Sequence, residues 1–289
     1  METATSFVED TLNGVIWNVV PVFLVLAGVY FGVRTLFVQI RLFPEMLKAV
    51  AETPKGKDRE GRDLDEEYGG LSAFKAFTIS AASRVGTGNI AGVALAISIG
   101  GPGAVFWMWM LALLGGATAF VESTLAQLWK TKDAEGNYHG GPAYYMTRGL
   151  GWKPLAVIFS AFLAVTYGFV YNAIQTNSIV EAVGGSLGTD SVVLKGVVAA
   201  VIATLTALVI FGGVTRIASW TQVIVPFMAG AYILLGLAVL VINWREIPGM
   251  VEMIVGHALG LEQVVGAGVG AAFMQGMRRG LFSNEAGMG

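Results

Sequence analysis

The stretch Ser83-Arg84-Val85-Gly86-Thr87-Gly88-Asn89 is where residue types and spacing first point to chemistry. It lies midway along an otherwise apolar segment. Two Gly, a Thr and an Asn lower helix propensity there, and an arginine inside a membrane span is costly unless it faces protein or water. An unwound turn accounts for both features. Opening a helix in lipid frees backbone N–H and C=O groups that hydrocarbon cannot satisfy but a bound ion or zwitterion can. Freed N–H groups at the start of a half-helix suit a carboxylate and freed carbonyls suit Na⁺, so one break serves both charges. A second interruption is read in Phe273-Met274-Gln275-Gly276-Met277-Arg278-Arg279-Gly280. Two interrupted segments offset by five apolar windows are the sequence pointer to an inverted-repeat transporter with its site near the midplane. Taken alone, each glycine reads more simply as close helix packing. Arg84 and Asn89 in one interruption and Gln275 in the other favour a site.

A third set lies between them. Tyr167, Tyr171, Asn172, Gln175, Thr176 and Asn177 fall in one apolar window, and Gly168, Tyr171, Asn172 and Gln175 share a face by helical spacing. Such a face either hydrogen-bonds a neighbouring helix or lines a cavity. Other chemistries find no support. There is no Cys, and His139 and His257 are too far apart for a metal motif. No nucleophile and base, and no carboxylate pair, falls at mid-window, which argues against an enzyme. Gly86, Gly88 and Gly92 match a dinucleotide fingerprint only loosely and lack the preceding strand it needs. The net charge of −2 and the absence of a long basic block argue against nucleic acid.

The elements that position these residues are membrane spans. Of the 289 residues, 55% are hydrophobic and 13% charged, against about 25% charged in an ordinary soluble domain. Windows of about 20 apolar residues, enough to cross a hydrocarbon core of about 30 Å, fall at 15–38, 71–99, 104–129, 155–183, 192–211 and 217–242, and a seventh opens at 261. Glu2, Glu9 and Asp10 precede the first window without any Lys or Arg, the wrong flank for a cleaved signal peptide, so it is expected to stay. Basic residues accumulate on one side. Arg34, Arg41, Lys48, Lys55, Lys57, Arg59, Arg62, Lys75, Lys130, Lys132, Arg148, Lys153 and Arg216 lie there, against Lys195 and Arg245 on the other. Since basic loops stay cytoplasmic, the N-terminus is expected outside and the mixed-charge stretch 55–67 in a cytoplasmic loop. Gly100-Gly101-Pro102-Gly103 reads as an external turn. The stretch 139–146 reads equally as a short interfacial helix or as a loop.

Four blocks in order carry a resemblance: Gly86-Thr87-Gly88-Asn89-Ile90-Ala91-Gly92, Gly100-Gly101-Pro102-Gly103-Ala104 with Phe106-Trp107-Met108-Trp109, Gly140-Gly141-Pro142-Ala143-Tyr144-Tyr145-Met146, and Arg279-Gly280-Leu281-Phe282-Ser283-Asn284-Glu285-Ala286-Gly287. They resemble the sodium:alanine (alanine or glycine:cation) symporters of prokaryotes. The resemblance implies an all-α, leucine-transporter-type inverted-repeat fold of the amino acid-polyamine-cation transporter superfamily. That fold has ten core helices, here with an extra helix at 15–38 in front. Window 71–99 is then broken core helix 1, 104–129, 155–183, 192–211 and 217–242 are core helices 2 to 5, and 261–289 starts broken core helix 6.

It further implies a substrate carboxylate on the amides of Gly86, Thr87 and Gly88, with Asn89 a candidate sodium ligand. Asn172 flanks the amino acid, and Phe273, Met274, Gln275 and Gly276 close the pocket around a small side chain. The implied cargo is alanine or glycine with a co-transported sodium ion, carried by a monomer in the prokaryotic plasma membrane, in contact with lipid. Such symporters continue through four more core helices, so the chain is expected to be a fragment that does not transport by itself. Proton coupling, or a channel or receptor-like role for the same glycine breaks, stands as the alternative.

Overall fold

The structure, a computed structural model, describes residues 13–51, 73–134, 138–261 and 267–285. Its contacts divide the chain into two units, residues 1–45 with 88–125 and 238–289, and residues 46–87 with 126–237.

The first unit opens on α1 (Asn13–Arg34), 22 residues long. At 1.5 Å per residue it reaches about 33 Å, enough to cross a bilayer. It ends four residues before the first window does, because Leu36 and Phe37 adopt φ of 54° and 51°, a left-handed conformation that a right-handed helix cannot pass through. Short helices α2 (Val38–Arg41) and α3 (Phe43–Ala51) follow, the latter running into the second unit. The window at 71–99 is two helices, α4 (Ala73–Arg84) in the second unit and α5 (Thr87–Gly100). Gly101, at φ +72°, makes the turn into α6 (Gly103–Leu128), a backbone angle that glycine adopts without steric cost.

In the second unit a two-residue antiparallel hairpin, β1 (Thr131–Lys132) and β2 (Tyr138–His139), leads into α7 (Pro142–Arg148). So the stretch 139–146 leads into a helix at Pro142–Arg148, with Pro142 in its first turn where a missing N–H costs nothing. The next window is a single rod of α8 (Lys153–Val165), a π-helical turn (Thr166–Val170) and α9 (Tyr171–Leu187). Helices α10 (Val192–Ile210) and α11 (Gly213–Ile242) follow. Beyond them, back in the first unit, lie a 3₁₀ turn (Trp244–Glu246), α12 (Ile247–Leu259) and α13 (Ala267–Asn284). At 13 residues α12 is too short to cross a bilayer, and no apolar window of spanning length falls there.

Among the described residues, five helices are long and apolar enough to cross a membrane: Asn13–Arg34, Gly103–Leu128, Lys153–Leu187, Val192–Ile210 and Arg216–Ile242. Helix α10 has mean hydropathy 2.4, and none of that window is buried. Leaving a Val or Leu side chain in water forfeits about 1.5–3 kcal/mol relative to burial, so a helix exposing Val193, Val197, Val201, Leu205 and Leu208 is built for lipid. The chain is an all-α, multi-pass membrane protein.

Candidate functional site

The break in the second window is two residues long. Helix α4 closes with Val85 N–H donating to Ala81 O at 2.9 Å, and the Arg84 guanidinium donates to Ser80 Oγ one turn back. Val85 and Gly86 are non-helical, and α5 begins at Thr87. The first amides of a helix have no partner inside it. Here the Thr87 N–H donates to the side-chain oxygen of Gln175, Oε1, at 3.2 Å. Gly86 makes room for that side chain, since a Cβ there would overlap Gln175 Nε2. The half-helix that opens at Thr87 is therefore capped by an acceptor from α9.

Gln175 is delivered by a distortion of the same rod. In the π turn Thr166–Val170 one extra residue widens the coil and loosens carbonyls from the regular ladder. Asn172 Nδ2 donates to two of them, Tyr167 O and Gly168 O, both at 3.1 Å. Asn172 thus braces the π turn with its amide nitrogen. Face arithmetic at 3.6 residues per turn does not hold across this segment, so Gly168 and Gln175 need not share a face, whereas Tyr171 and Gln175 both lie in regular α9.

In the first unit, α5 and α13 run antiparallel. A Cβ on Gly100 would stand 3.0 Å from Ala271 O and from Gln275 Cβ, and one on Gly92 would stand 2.7 Å from Arg279 Nη1. At Gly88 it would overlap the Phe282 ring. The end of α13 is tied to α6 by Asn284 Nδ2, which donates to Leu111 O at 2.9 Å. Asn284 also fills the space beside Gly115. Leu111 is eight residues into the 26-residue α6, about 12 Å along a rod of about 39 Å at 1.5 Å per residue. Helix α13 therefore ends beside the first third of α6, and the Phe282 ring lies against Gly88 near the start of α5. Just past the end of α13, Glu285 has φ 50°.

The break thus leaves a helix start inside an apolar window of spanning length, with its first amide held by a side chain of the same unit. The Sodium:alanine symporter family matches residues 1–289. The chain belongs to that family. It is 49% identical over 98% of its length to the amino-acid carrier protein AlsT of Bacillus subtilis, covering 58% of that protein. It is 41% identical over its whole length to the probable sodium/glutamine symporter GlnT of the same organism, covering 58% of it. It is 39% identical over 97% of its length to the sodium/alanine symporter AgcS of Methanococcus maripaludis, covering 60% of it. The chain thus spans somewhat under two thirds of these relatives' length. Membership in a symporter family sets the enzyme reading aside.

For this member of the sodium:alanine symporters, several expectations from sequence change. Residues 273–280 carry no interruption, because α13 is helical throughout Ala267–Asn284. Gly276 and Gly280 are packing positions: a Cβ on Gly276 would stand 2.6 Å from Ala104 O and 2.5 Å from Trp107 Cβ, and one on Gly280 would stand 2.8 Å from Leu111 Cβ. Phe273 stacks edge-on against Trp107 with centroids 4.8 Å apart. Met274 is half-buried on the same helix. Gln275 lies at Gly100, about 18 Å along α5 from Gly88 at 1.5 Å per residue. The structure therefore brings Phe282 to Gly88 in the first turn of α5, Gln275 to Gly100 at its far end, and Phe273 and Gly276 to the start of α6. Asn89 is half-buried in the first turn of α5, and Asn172 braces its own helix. The residues missed are Phe282 and Asn284. Both stand in the fourth sequence block, and their partners, Gly88 and Leu111, lie far away in sequence.

Two charged features lie away from the break. Arg278 lies over the Trp17 ring at 5.5 Å, and its buried Nε has no hydrogen-bond partner among the described residues. At the end of α9, Asp190 accepts a hydrogen bond from Lys195, and that bond, with the Lys195 charge, holds its carboxyl below the ordinary value of 3.8. A depressed carboxylate stabilises above its unfolded pKa and loses that contribution as pH falls through the folded one. Asp190 is fully exposed, so the pair is a weak surface tie.

Proposed function

We propose that the full-length protein is a sodium-coupled symporter of small neutral amino acids, alanine and glycine, with the break between α4 and α5 as its substrate and ion site. The observation that carries this is the acceptor oxygen already seated on the Thr87 amide. A half-helix start at mid-span binds an anionic oxygen through free N–H groups and their partial positive charge, and the substrate carboxylate is such a group. The amides of Gly86, Thr87 and Gly88 hold it. Sodium takes oxygen ligands from the carbonyl end of α4 and from the side chain of Asn89. Among the described residues no three His, Cys, Asp or Glu side chains converge, and a monovalent cation bound by carbonyl and amide oxygens needs no such group.

The names of AgcS and AlsT, a sodium/alanine symporter and an amino-acid carrier, support this cargo. The fold is of the leucine-transporter type, with α4 and α5 as core helix 1 and α13 as the first part of core helix 6, ending at Asn284. The excess of Lys and Arg on one side supports an external N-terminus in a prokaryotic plasma membrane. A monomer is proposed as the working unit.

The direct test is binding of labelled L-alanine to the full-length protein in lipid nanodiscs, in Na⁺ and in K⁺. Saturable binding in Na⁺ alone, displaced by excess glycine, is expected. Binding that ignores the cation, or absent from folded protein, contradicts the reading. Displacement by glutamine instead would align the chain with the relative named as a probable sodium/glutamine symporter.

A further inference from the structure

The Thr87 amide is occupied by a group of the protein itself. Gln175 reaches it from α9, its Oε1 accepting at 3.2 Å, and the carboxamide lies against a glycine whose side chain, had it one, would expel it. From this we infer that Gln175 is an internal surrogate for the substrate carboxylate, seated on the half-helix amide in the empty state and displaced when an amino acid binds. The inference rests on the proposed symport reading and adds a competitor to it.

The chemistry of the exchange is balanced. A carboxamide oxygen and a carboxylate oxygen are both planar acceptors, so either satisfies the Thr87 N–H with similar geometry. The carboxylate makes the stronger, charge-assisted bond and gains from the positive helix end, so it wins the seat. In the empty state the neutral carboxamide spares a half-buried amide from going unsatisfied, which in a membrane interior is costly. Because Gln175 must leave before the substrate arrives, the apparent affinity is lowered by the fraction of time the seat is free. Gly86 is the partner device: its bare Cα is what lets the carboxamide lie down. Asn172, three residues earlier, fixes the π turn that aims the segment.

The experiment measures L-alanine binding in Na⁺ for the full-length wild type, Gln175→Ala and Gln175→Glu, together with hydrogen–deuterium exchange of the segment spanning Thr87. A hydrogen bond of ordinary net strength holds the seat about two to ten times more often filled than empty. Gln175→Ala is therefore expected to bind alanine about two- to tenfold more tightly. Gln175→Glu places a fixed anion on the same amide and is expected to bind at least about tenfold more weakly. Without substrate, exchange at Thr87 is expected to rise in Gln175→Ala and to fall back on adding alanine with Na⁺. Weaker or unchanged binding by Gln175→Ala overturns the inference, since it makes Gln175 a direct ligand or a bystander. So does unaltered exchange at Thr87 in the substrate-free variant. Wild-type protein that fails to bind alanine at all instead removes the symport reading, and the exchange arm then still reports whether Gln175 caps Thr87.

Discussion

Single residues at the break divide into those that offer backbone and those that occupy space. Gly86 and Gly88 offer amides because nothing projects from them, and each is covered by a side chain from elsewhere in its own unit: Gln175 lies over Gly86, and the Phe282 ring over Gly88. Under the proposed reading, the Phe282 ring beside Gly88 bounds the space left for the substrate's side chain. Phe282→Ala is expected to relax selectivity, so that valine and leucine compete with alanine about tenfold better than in the wild type, the scale of a methylene-sized change in an apolar pocket. Competition binding reads this directly, and an unchanged ranking of competitors would remove Phe282 from the pocket. At this scale the sequence was informative about residue type and less so about partner. The Gly, Thr and Asn run announced a break, and Gln175 was visible on a polar face. No local pattern disclosed that Asn172 would spend its amide nitrogen on Tyr167 and Gly168, because a π turn has no propensity signature and changes the face arithmetic it interrupts.

At the scale of elements, glycine had two meanings that sequence alone did not separate. In the α4/α5 gap it permits unwinding, and in α13 it permits contact. Gly276 faces both backbone and side chain of α6, which a Cβ there would approach to 2.6 and 2.5 Å, whereas among the described residues nothing lies within 4 Å of the equivalent point at Gly236 on α11. Gly276→Ala is expected to destabilise by about 1–3 kcal/mol, as overpacking does. Gly236→Ala is expected to be neutral or slightly stabilising through helix propensity. Thermal unfolding of the two variants in one detergent decides this, and equal melting temperatures would contradict the packing assignment. The spans themselves were legible because lipid demands long apolar helices. Helix α12 was not, since it is too short to cross and leaves no such demand. The end of α13 at Asn284 was not legible either: its anchor is a hydrogen bond to Leu111, 173 residues away in sequence.

For the whole molecule, the helices supply lipid-facing apolar surface on long rods, and among the described residues irregular backbone inside an apolar window includes the Val85–Gly86 gap and the π turn Thr166–Val170. Irregular backbone at membrane depth is tolerated only where protein or a water-filled cavity satisfies it, and this is the economy by which transporters build sites. The family match over residues 1–289 and the site geometry meet at this point, and together they make sodium-driven uptake the central claim. The measurement that tests it most directly is labelled L-alanine uptake into proteoliposomes holding the full-length protein, under an inward Na⁺ gradient, under K⁺, and under a pH gradient. Accumulation above equilibrium that requires the Na⁺ gradient and is competed by glycine is the expected result, whereas accumulation driven by the pH gradient alone, or mere equilibration in every condition, would contradict it.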